Sequence, residues 1–193
     1  MHHTTATRMR TILRTALLSL STTACAWAHG QDFKMAVDVQ QAERTFVTQA
    51  SFVLPLKPCQ AWQYIVDYDA AVQIPGILAS RTTRLGERKA RVERHMKDSI
   101  LFFPIRMRTV IEFKEIESQG TDFVQIEGEA KSHKGSWRLE PQDTGTLFRY
   151  QAISEPDSAL PMAVIQYFVQ KRLQGSFLAM AQNGAIRKDL SCC

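Results

Sequence analysis

The sequence predicts an α+β domain in which a curved antiparallel sheet of seven strands packs around one long carboxy-terminal helix. Three observations indicate this class. Apolar and polar residues alternate from Ile77 to about Ser154, as in half-buried antiparallel strands. Apolar residues recur every three or four positions from about Leu160 to Asp189, as in a long amphipathic helix. Two short helical patterns separate the first strand from the others.

The first strand is predicted over residues 44–56, which are rich in β-forming residues and end in prolines. Trp62 and Ile65 then fall at helical spacing, which predicts a short helix. A second short helix or turn follows and stops at Pro75-Gly76, because this pair breaks helices.

The clearest strand is "FPIRMRTVIEFKEI", whose two faces differ in character. Its apolar face carries Ile105, Met107, Thr109, Ile111 and Phe113, and its charged face carries Arg106, Arg108, Glu112 and Lys114. The long helix carries its apolar residues on one face. It also holds Gly175 and Gly184, which lower helix stability, so both are predicted to allow close packing.

The first residues predict a secretory signal peptide, cleaved after Ala28. A basic start with three arginines precedes the apolar centre "TALLSLSTTA" and the small residues of "AWA". The predicted organisation is therefore a signal peptide over 1–28, a flexible lead-in over 29–43, one domain over 44–190 and a tail over 191–193. Export to the periplasm or the outside follows, with a mitochondrial transit peptide as the alternative.

Charge argues against a nucleic-acid partner. Removing residues 1–28 takes three arginines from the 24 basic residues, which leaves 21 against 19 acidic residues and a net charge of about +2. Most of the overall charge of +5 therefore belongs to the leader.

Cysteines and histidines show no metal-ligand spacing, and no nucleophile or phosphate-loop motif occurs. We therefore predict no metal, no cofactor and no assigned catalytic residue. Cys59 is interpreted as a small buried residue, and Cys192 and Cys193 as part of a frayed or intermolecularly linked tail. His95 is interpreted as a surface residue, and His133 as part of a turn in "KSHKG".

Two stretches resemble the START-like (SRPBCC) superfamily, which includes polyketide cyclases, plant Bet v 1-type proteins and coenzyme Q-binding proteins. The first is "AWQYIVDYDAAVQIPGILAS", with its aromatic, acidic-aromatic, proline and serine positions. The second is "GSWRLEP" followed by "TGTLFRYQAISEP". The resemblance covers about 46–190 and implies a helix-grip fold with an apolar cavity between the sheet and the long helix. It supplies no catalytic residues, because fold does not settle function.

Residues on the inward faces of the strands and helices are the predicted ligand-binding set. They are Trp62, Val92, Arg94, Met96, Ile105, Met107, Thr109, Ile111, Trp137, Tyr150, Ile165, Val169, Leu173 and Phe177.

Arg94 stands out in this set because it alternates with apolar neighbours and should point inward. It could pair with the polar head of a ligand or with Glu127 or Glu129; the alternative is that it reaches out to water. Tyr150 and Thr146 share a face of the last strand and could donate hydrogen bonds to a ligand, or could be ordinary core residues.

Three functions fit these features. The first is an exported carrier of a hydrophobic small molecule: a lipid, an isoprenoid quinone or a polyketide-like compound. The second is an enzyme of the cyclase or aromatase type, with Tyr150 and Arg94 guiding the substrate. The third is a protein-interaction module whose cavity is filled. A basic hairpin over 81–97 could also contact an anionic membrane surface, or be a solvated face.

Overall fold

The computed structural model describes residues 33–100, 103–187 and 189–192. The predicted signal peptide over 1–28 and Cys193 lie outside these residues. The described chain forms one antiparallel sheet, two α-helices and a short 3-10 helix. The strands are β1 Ala36–Ala42, β2 Thr45–Leu54, β3 Ile77–Gly86, β4 Lys89–Ile100, β5 Phe103–Ile116, β6 Gly120–Glu127, β7 Ala130–Gln142 and β8 Gly145–Pro156. The helices are α1 Pro58–Val66, the 3-10 helix Asp69–Gln73 and α2 Met162–Ile186.

The sheet has the strand order β1-β2-β8-β7-β6-β5-β4-β3, and each neighbouring pair is antiparallel. The predicted α+β class is confirmed, as are the curved sheet, the two short helices after the first long strand and the long carboxy-terminal helix of a helix-grip fold. Every connection between neighbours from β3 to β8 is a hairpin, which the unbroken two-residue alternation anticipated.

The sheet has eight described strands rather than the predicted seven. The additional strand, β1, lies within the segment 29–43, which the sequence analysis interprets as a flexible lead-in. It pairs with β2 from Ala36 opposite Ser51 to Ala42 opposite Thr45. Most of its residues are exposed because β1 is an edge strand, and only Val39 is buried, so the alternation that reveals a strand is weak.

Aromatic rings form the core between α2 and the sheet. Phe52 stacks on Phe148 with ring centroids 5.2 Å apart, and it meets the edge of Trp137 at 6.2 Å. From α2, Phe177 contacts Tyr150 at 5.2 Å and Trp137 at 5.7 Å. Offset and edge-to-face ring pairs of this kind stabilise a core beyond the area they bury.

A second cluster holds the first half of α2. Ile165 is buried against Val39 of β1 and Phe46 of β2. Phe177 and Ala181, which are 4% and 0% exposed, hold the second half against the main core. The helix therefore contacts the sheet at two separate places along its length.

The two glycines of α2 differ in their surroundings. A Cβ at Gly184 would lie 2.5 Å from the Leu54 side chain and 3.1 Å from the Tyr64 ring, so this glycine allows close packing as predicted. Nothing lies within 4 Å of a Cβ at Gly175, so the same prediction is wrong there.

The chain after α2 is bound to α1 and is not a frayed tail. Cys192 forms a disulfide with Cys59, across Cα atoms 5.6 Å apart and 133 residues of sequence. The side-chain amide of Gln60 donates to the carbonyl of Leu190 at 2.9 Å, and Leu190 is only 7% exposed. The predictions that Cys59 is simply a buried residue and that Cys192 is free or intermolecular are wrong, because sequence spacing carries no information on this contact.

Arg187 adds a charged contact between the chain after α2 and α1. Its guanidinium donates to Asp67 at the end of α1 at 3.0 Å and to Asp189 at 2.6 Å. It also lies over the Tyr64 ring at 5.9 Å. Burial raises the pKa of Tyr64 to about 12, so its hydroxyl is a neutral donor to the Met180 carbonyl at 2.7 Å.

We expect Cys59→Ser to lower the free energy of unfolding by about 2–4 kcal/mol, because the bridge closes a long loop and its loss frees the unfolded chain. Urea denaturation of the oxidised wild type and the variant measures the change. Reduced wild type should lose the same amount, whereas Cys193→Ser should lose nothing. Equal stability of oxidised and reduced wild type would contradict the bridge.

Candidate functional site

A cavity of about 610 Å³ lies between the concave face of the sheet and α2. Most of its wall is apolar, with methionine, isoleucine and leucine side chains from β4, β5 and α2 and aromatic rings from β7, β8 and α2. Eleven of the predicted ligand-binding residues line it: Arg94, Met96, Ile105, Met107, Thr109, Ile111, Trp137, Tyr150, Ile165, Leu173 and Phe177.

The structure places the other three predicted residues elsewhere. Val92 is fully buried in the solid core next to the cavity, on the same face of β4 as Arg94. Trp62 packs from α1 against that core, and Val169 packs beside the Ile165 cluster. Alternation identifies the inward face of a strand, but it does not indicate where along the strand the packed core ends and the cavity begins.

Arg94 lies at the inner wall of the cavity, opposite Ser80 of β3 and Thr109 of β5. Its Nε donates to the Ser80 hydroxyl over a long 3.4 Å, and that hydroxyl donates to the Tyr68 carbonyl at 2.7 Å. Arg94 makes no ion pair with any described carboxylate. Of the two partners the sequence suggested, Glu127 instead accepts from Arg108 at 2.5 Å, and Glu129 lies on the exposed β6–β7 turn.

Burial lowers the pKa of Arg94, and the nearby Tyr68, Tyr150 and Asp69 act in the opposite direction. A guanidinium nevertheless stays protonated in proteins, so the side chain remains a cation. Part of its surface is accessible, and because Arg94 lines the cavity, that surface faces the cavity.

Two hydroxyls on the cavity wall have no protein partner. The Thr109 Oγ1 is buried and accepts or donates no hydrogen bond among the described residues. Tyr150 is 9% exposed, packs on Trp137 at 4.9 Å, and makes no hydrogen bond to the described chain through its hydroxyl. Burial raises the pKa of Tyr150, with the Arg94 cation offsetting part of the rise, so the phenol is a neutral donor.

Thr146 lies on the same face of β8 as Tyr150, but it does not line the cavity. It is fully buried, and its hydroxyl donates to the Leu56 carbonyl at 2.8 Å. It therefore ties β8 to the loop before α1 and does not reach the cavity.

His133 lines the cavity, although the sequence analysis interprets it as part of a turn. It lies within β7, with its ring 5.2 Å from Phe123 and its Nδ1 2.7 Å from the Ser154 hydroxyl. Burial lowers the pKa of His133, so its ring is neutral near pH 7. The polar residues around His133 in "KSHKG" are typical of a turn, so the sequence did not predict a strand there. However, His133, Gly135 and Trp137 follow one another at two-residue spacing, which could have indicated that His133 lies on the same strand face as Trp137.

The cavity reaches solvent where the β6–β7 turn meets the loop between β8 and α2. Exposed Glu129, Asp157 and Ser158 line this end. On another side, Arg172 of α2 pairs with Asp98 of β4 and separates the cavity from a surface groove of about 550 Å³.

The hairpin over 81–97 carries seven basic residues, of which the structure pairs four with glutamates. Arg84 pairs with Glu115, and Lys89 and Arg91 both pair with Glu112. Arg88 pairs with Glu117 on the adjacent turn, in a contact that is exposed on both sides. The hairpin is thus a largely compensated face rather than a concentrated positive patch.

Neither a membrane-spanning segment nor a metal centre is found in the part of the chain that the structure describes. None of its helices is long and apolar enough to cross a bilayer. It also contains no cluster of three or more histidine, cysteine or acidic side chains arranged to hold a metal ion.

Solved structures with this fold come from several bacteria. The Zhui aromatase/cyclase from a Streptomyces species is similar with a TM-score of 0.63 and 11% identity, over 77% of this chain and 99% of that chain. A STAR-related lipid transfer protein from Xanthomonas axonopodis has a TM-score of 0.60 and 15% identity, over 77% of this chain and 98% of that chain. A START superfamily protein from Mycobacterium smegmatis has a TM-score of 0.59 and 12% identity, over 71% of this chain and 95% of that chain.

No curated protein matches the chain in sequence. The sequence model of one family, described as polyketide cyclase / dehydrase and lipid transport, matches residues 54–180. This range includes α1, the hairpins from β3 to β8 and most of α2, and therefore all the cavity-lining residues. The chain belongs to the polyketide cyclase / dehydrase and lipid transport family, within the START-like superfamily.

Proposed function

We propose that this protein binds and carries a hydrophobic small molecule, such as a lipid, an isoprenoid quinone or a polyketide-like compound, in the cavity between the sheet and α2. The family and the fold are those of a domain that binds hydrophobic ligands. The observation that carries the proposal is the cavity of about 610 Å³, within the range of about 300–1,000 Å³ that small-molecule sites occupy.

The apolar wall supplies the driving force for this binding. Burial of apolar ligand surface contributes about 25 cal/mol per Å², from which the cost of immobilising the ligand is subtracted. The side chains of Met96, Met107 and Met180 on facing walls are flexible, which suits a site that adapts to its ligand. The same cavity argues against a protein-interaction module with a filled core.

Export is part of the proposal. The signal-peptide pattern over 1–28 supports it, and so does the bond between Cys59 and Cys192, because disulfides persist mainly in oxidising compartments. The periplasm or the outside is the destination that we infer.

Contact with an anionic membrane through the 81–97 hairpin stays a prediction. The outward-facing Arg81 and Lys97 make no ion pair with the described chain. At about 1 kcal/mol for each basic residue near a charged surface, two residues support at most a transient encounter.

A second candidate function, a cyclase or dehydrase activity, is favoured by one observation. His133, Tyr150 and Arg94 all face the same cavity. A neutral imidazole can take a proton from carbon next to a ketone, and a phenol and a guanidinium can donate to the ketone oxygen that becomes an enolate. The carrier remains our first proposal because the cavity alone accounts for it.

We expect Met107→Trp to weaken the binding of a fluorescent apolar dye about 10-fold. The added ring would displace about 60 Å² of ligand contact, worth about 1.5 kcal/mol. Fluorescence titration measures the affinity. Arg106→Trp is the matched control, because Arg106 is exposed on the other face of β5. Equal loss in both variants, or none in Met107→Trp, would place the binding site elsewhere.

The proposal is tested most directly by native mass spectrometry of the protein purified from the compartment that holds it, followed by organic extraction. A lipid, quinone or polyketide-like mass released by the extraction is expected. If the protein carries no such mass and the apolar dye does not bind either, the carrier function is wrong.

The enzyme candidate makes a different prediction. His133→Gln and Tyr150→Phe should each abolish cyclisation of a synthetic poly-ketone while leaving its binding within about two-fold, because both changes keep the size of the side chain. Product analysis by liquid chromatography measures turnover. Wild type that binds the poly-ketone without converting it would eliminate this candidate and leave the carrier proposal intact.

His133 also predicts a pH dependence of stability. Because burial lowers its pKa in the folded state, the unfolded state binds the proton first as the pH falls below about 6.5. The free energy of unfolding should therefore decrease toward acid, by at most about 1.4 kcal/mol per pH unit from this group. Urea denaturation between neutral and mildly acidic pH should show a smaller decrease in His133→Gln. The exposed His95→Gln is the control; parallel profiles for wild type and His133→Gln would contradict the burial of this ring.

A further inference from the structure

Arg94 is a cation inside the protein that no acidic side chain of the described chain neutralises. Each carboxylate near it has another partner or another location. Glu115 is buried, but it accepts from the Tyr68 hydroxyl at 3.1 Å and from Arg84 at 2.5 Å. Asp69 accepts from the Thr82 hydroxyl at 2.8 Å on the exposed side of the 3-10 helix.

The guanidinium of Arg94 is also oriented for a ligand. Its Nε is directed at Ser80, which leaves the two Nη groups without a partner in the described chain. These two groups form a planar fork that matches the two oxygens of a carboxylate. Arg94 borders both the main cavity and a smaller chamber of about 90 Å³.

Two further donors line the same cavity, Thr109 on the neighbouring strand β5 and Tyr150 on β8, three strands further along the sheet. The hydroxyls of Thr109 and Tyr150 have no partner in the described chain, and Thr109 is directly opposite Arg94 in the pairing of β4 with β5. Buried polar groups in native proteins nearly always have partners. Three groups around one cavity with unused hydrogen-bonding capacity therefore point to a ligand whose atoms supply the missing partners. All three can donate, which matches an acceptor-rich head.

We propose that the ligand is an amphipathic carboxylic acid, whose ionised carboxylate is bound by Arg94 with Tyr150 and Thr109 and whose apolar body lies along the methionine and leucine wall toward α2. This inference rests on the proposed carrier function and specifies the ligand class. A carboxylate fits better than a phosphate, because one cation balances one negative charge and, among the described residues that line the cavity, no second cation lacks a partner.

Two acidic residues lie at the end of the cavity that opens to solvent, away from the proposed site of the ligand carboxylate at Arg94. Glu129 and Asp157 are exposed to solvent. Screening by salt weakens their repulsion beyond about 8 Å at physiological ionic strength. Of the charged side chains that the structure describes along the cavity, Arg94 is the cation without an acidic partner.

Three probes with the same alkyl chain and different polar head groups test the proposal: dodecanoate, methyl dodecanoate and dodecanol. Isothermal titration calorimetry at neutral pH measures each affinity. We expect wild type to bind dodecanoate about 10- to 100-fold more tightly than either neutral probe, the range that charge-assisted hydrogen bonds provide. Equal affinity for the three would overturn the carboxylate and leave the carrier function standing, whereas binding of none of them would count against both.

Variants assign the effect to the residue. Arg94→Gln should bind dodecanoate only as well as wild type binds dodecanol, while its own affinity for dodecanol is unchanged. Arg106→Gln removes one positive charge from the outer face of β5 and should leave all three affinities within about two-fold of wild type. An equal loss of dodecanoate binding in both variants would mean that overall charge, not the cavity, selects the head, and would overturn the proposal. If Arg94→Gln does not fold, the comparison of the three heads in wild type decides.

Discussion

The attachment of α2 to the sheet at two separate places is the constraint on which the cavity depends. Ile165 is held by Val39 and Phe46, and Phe177 is held by the rings of Trp137 and Tyr150. At a rise of about 1.5 Å per residue these contacts lie roughly 18 Å apart along a straight helix. A twisted sheet curves away beneath such a helix, so the space between the two contacts becomes a cavity rather than a packed core.

Some of the elements that restrain α2 lie outside the family-matched segment. The disulfide to Cys192 and the contacts of Arg187 bind the chain after α2 to α1, and β1 provides part of the pocket for Ile165. The restraint also positions the side chains at the closed end, because Tyr64 of α1 holds the Met180 carbonyl. Stability of the helix and the shape of the ligand site are therefore linked through the same contacts.

Three polar groups of the cavity differ from most buried polar groups of the core. Thr121 Oγ1 is a buried core atom without a partner in the described chain, but Thr146 and Glu115 are buried and bound by protein partners. Arg94, Tyr150 and Thr109 are not, and leaving them so costs free energy that folding alone does not recover. Departures from otherwise consistent packing concentrate at functional sites, which is the physical reason to associate these three groups with a ligand.

The sequence by itself determined the strand alternation, the short helices and the long terminal helix, because local periodicity encodes which residues face inward. It also placed most of the cavity wall, including Arg94 and Tyr150, on the inner face. Only the tertiary structure decided that β1 joins the sheet, that His133 faces the cavity, and that Cys59 meets Cys192. The pairing of β1 and the disulfide depend on contacts between segments far apart in the chain, and the cavity depends on how far α2 stands from the sheet; no local pattern carries a signal for these.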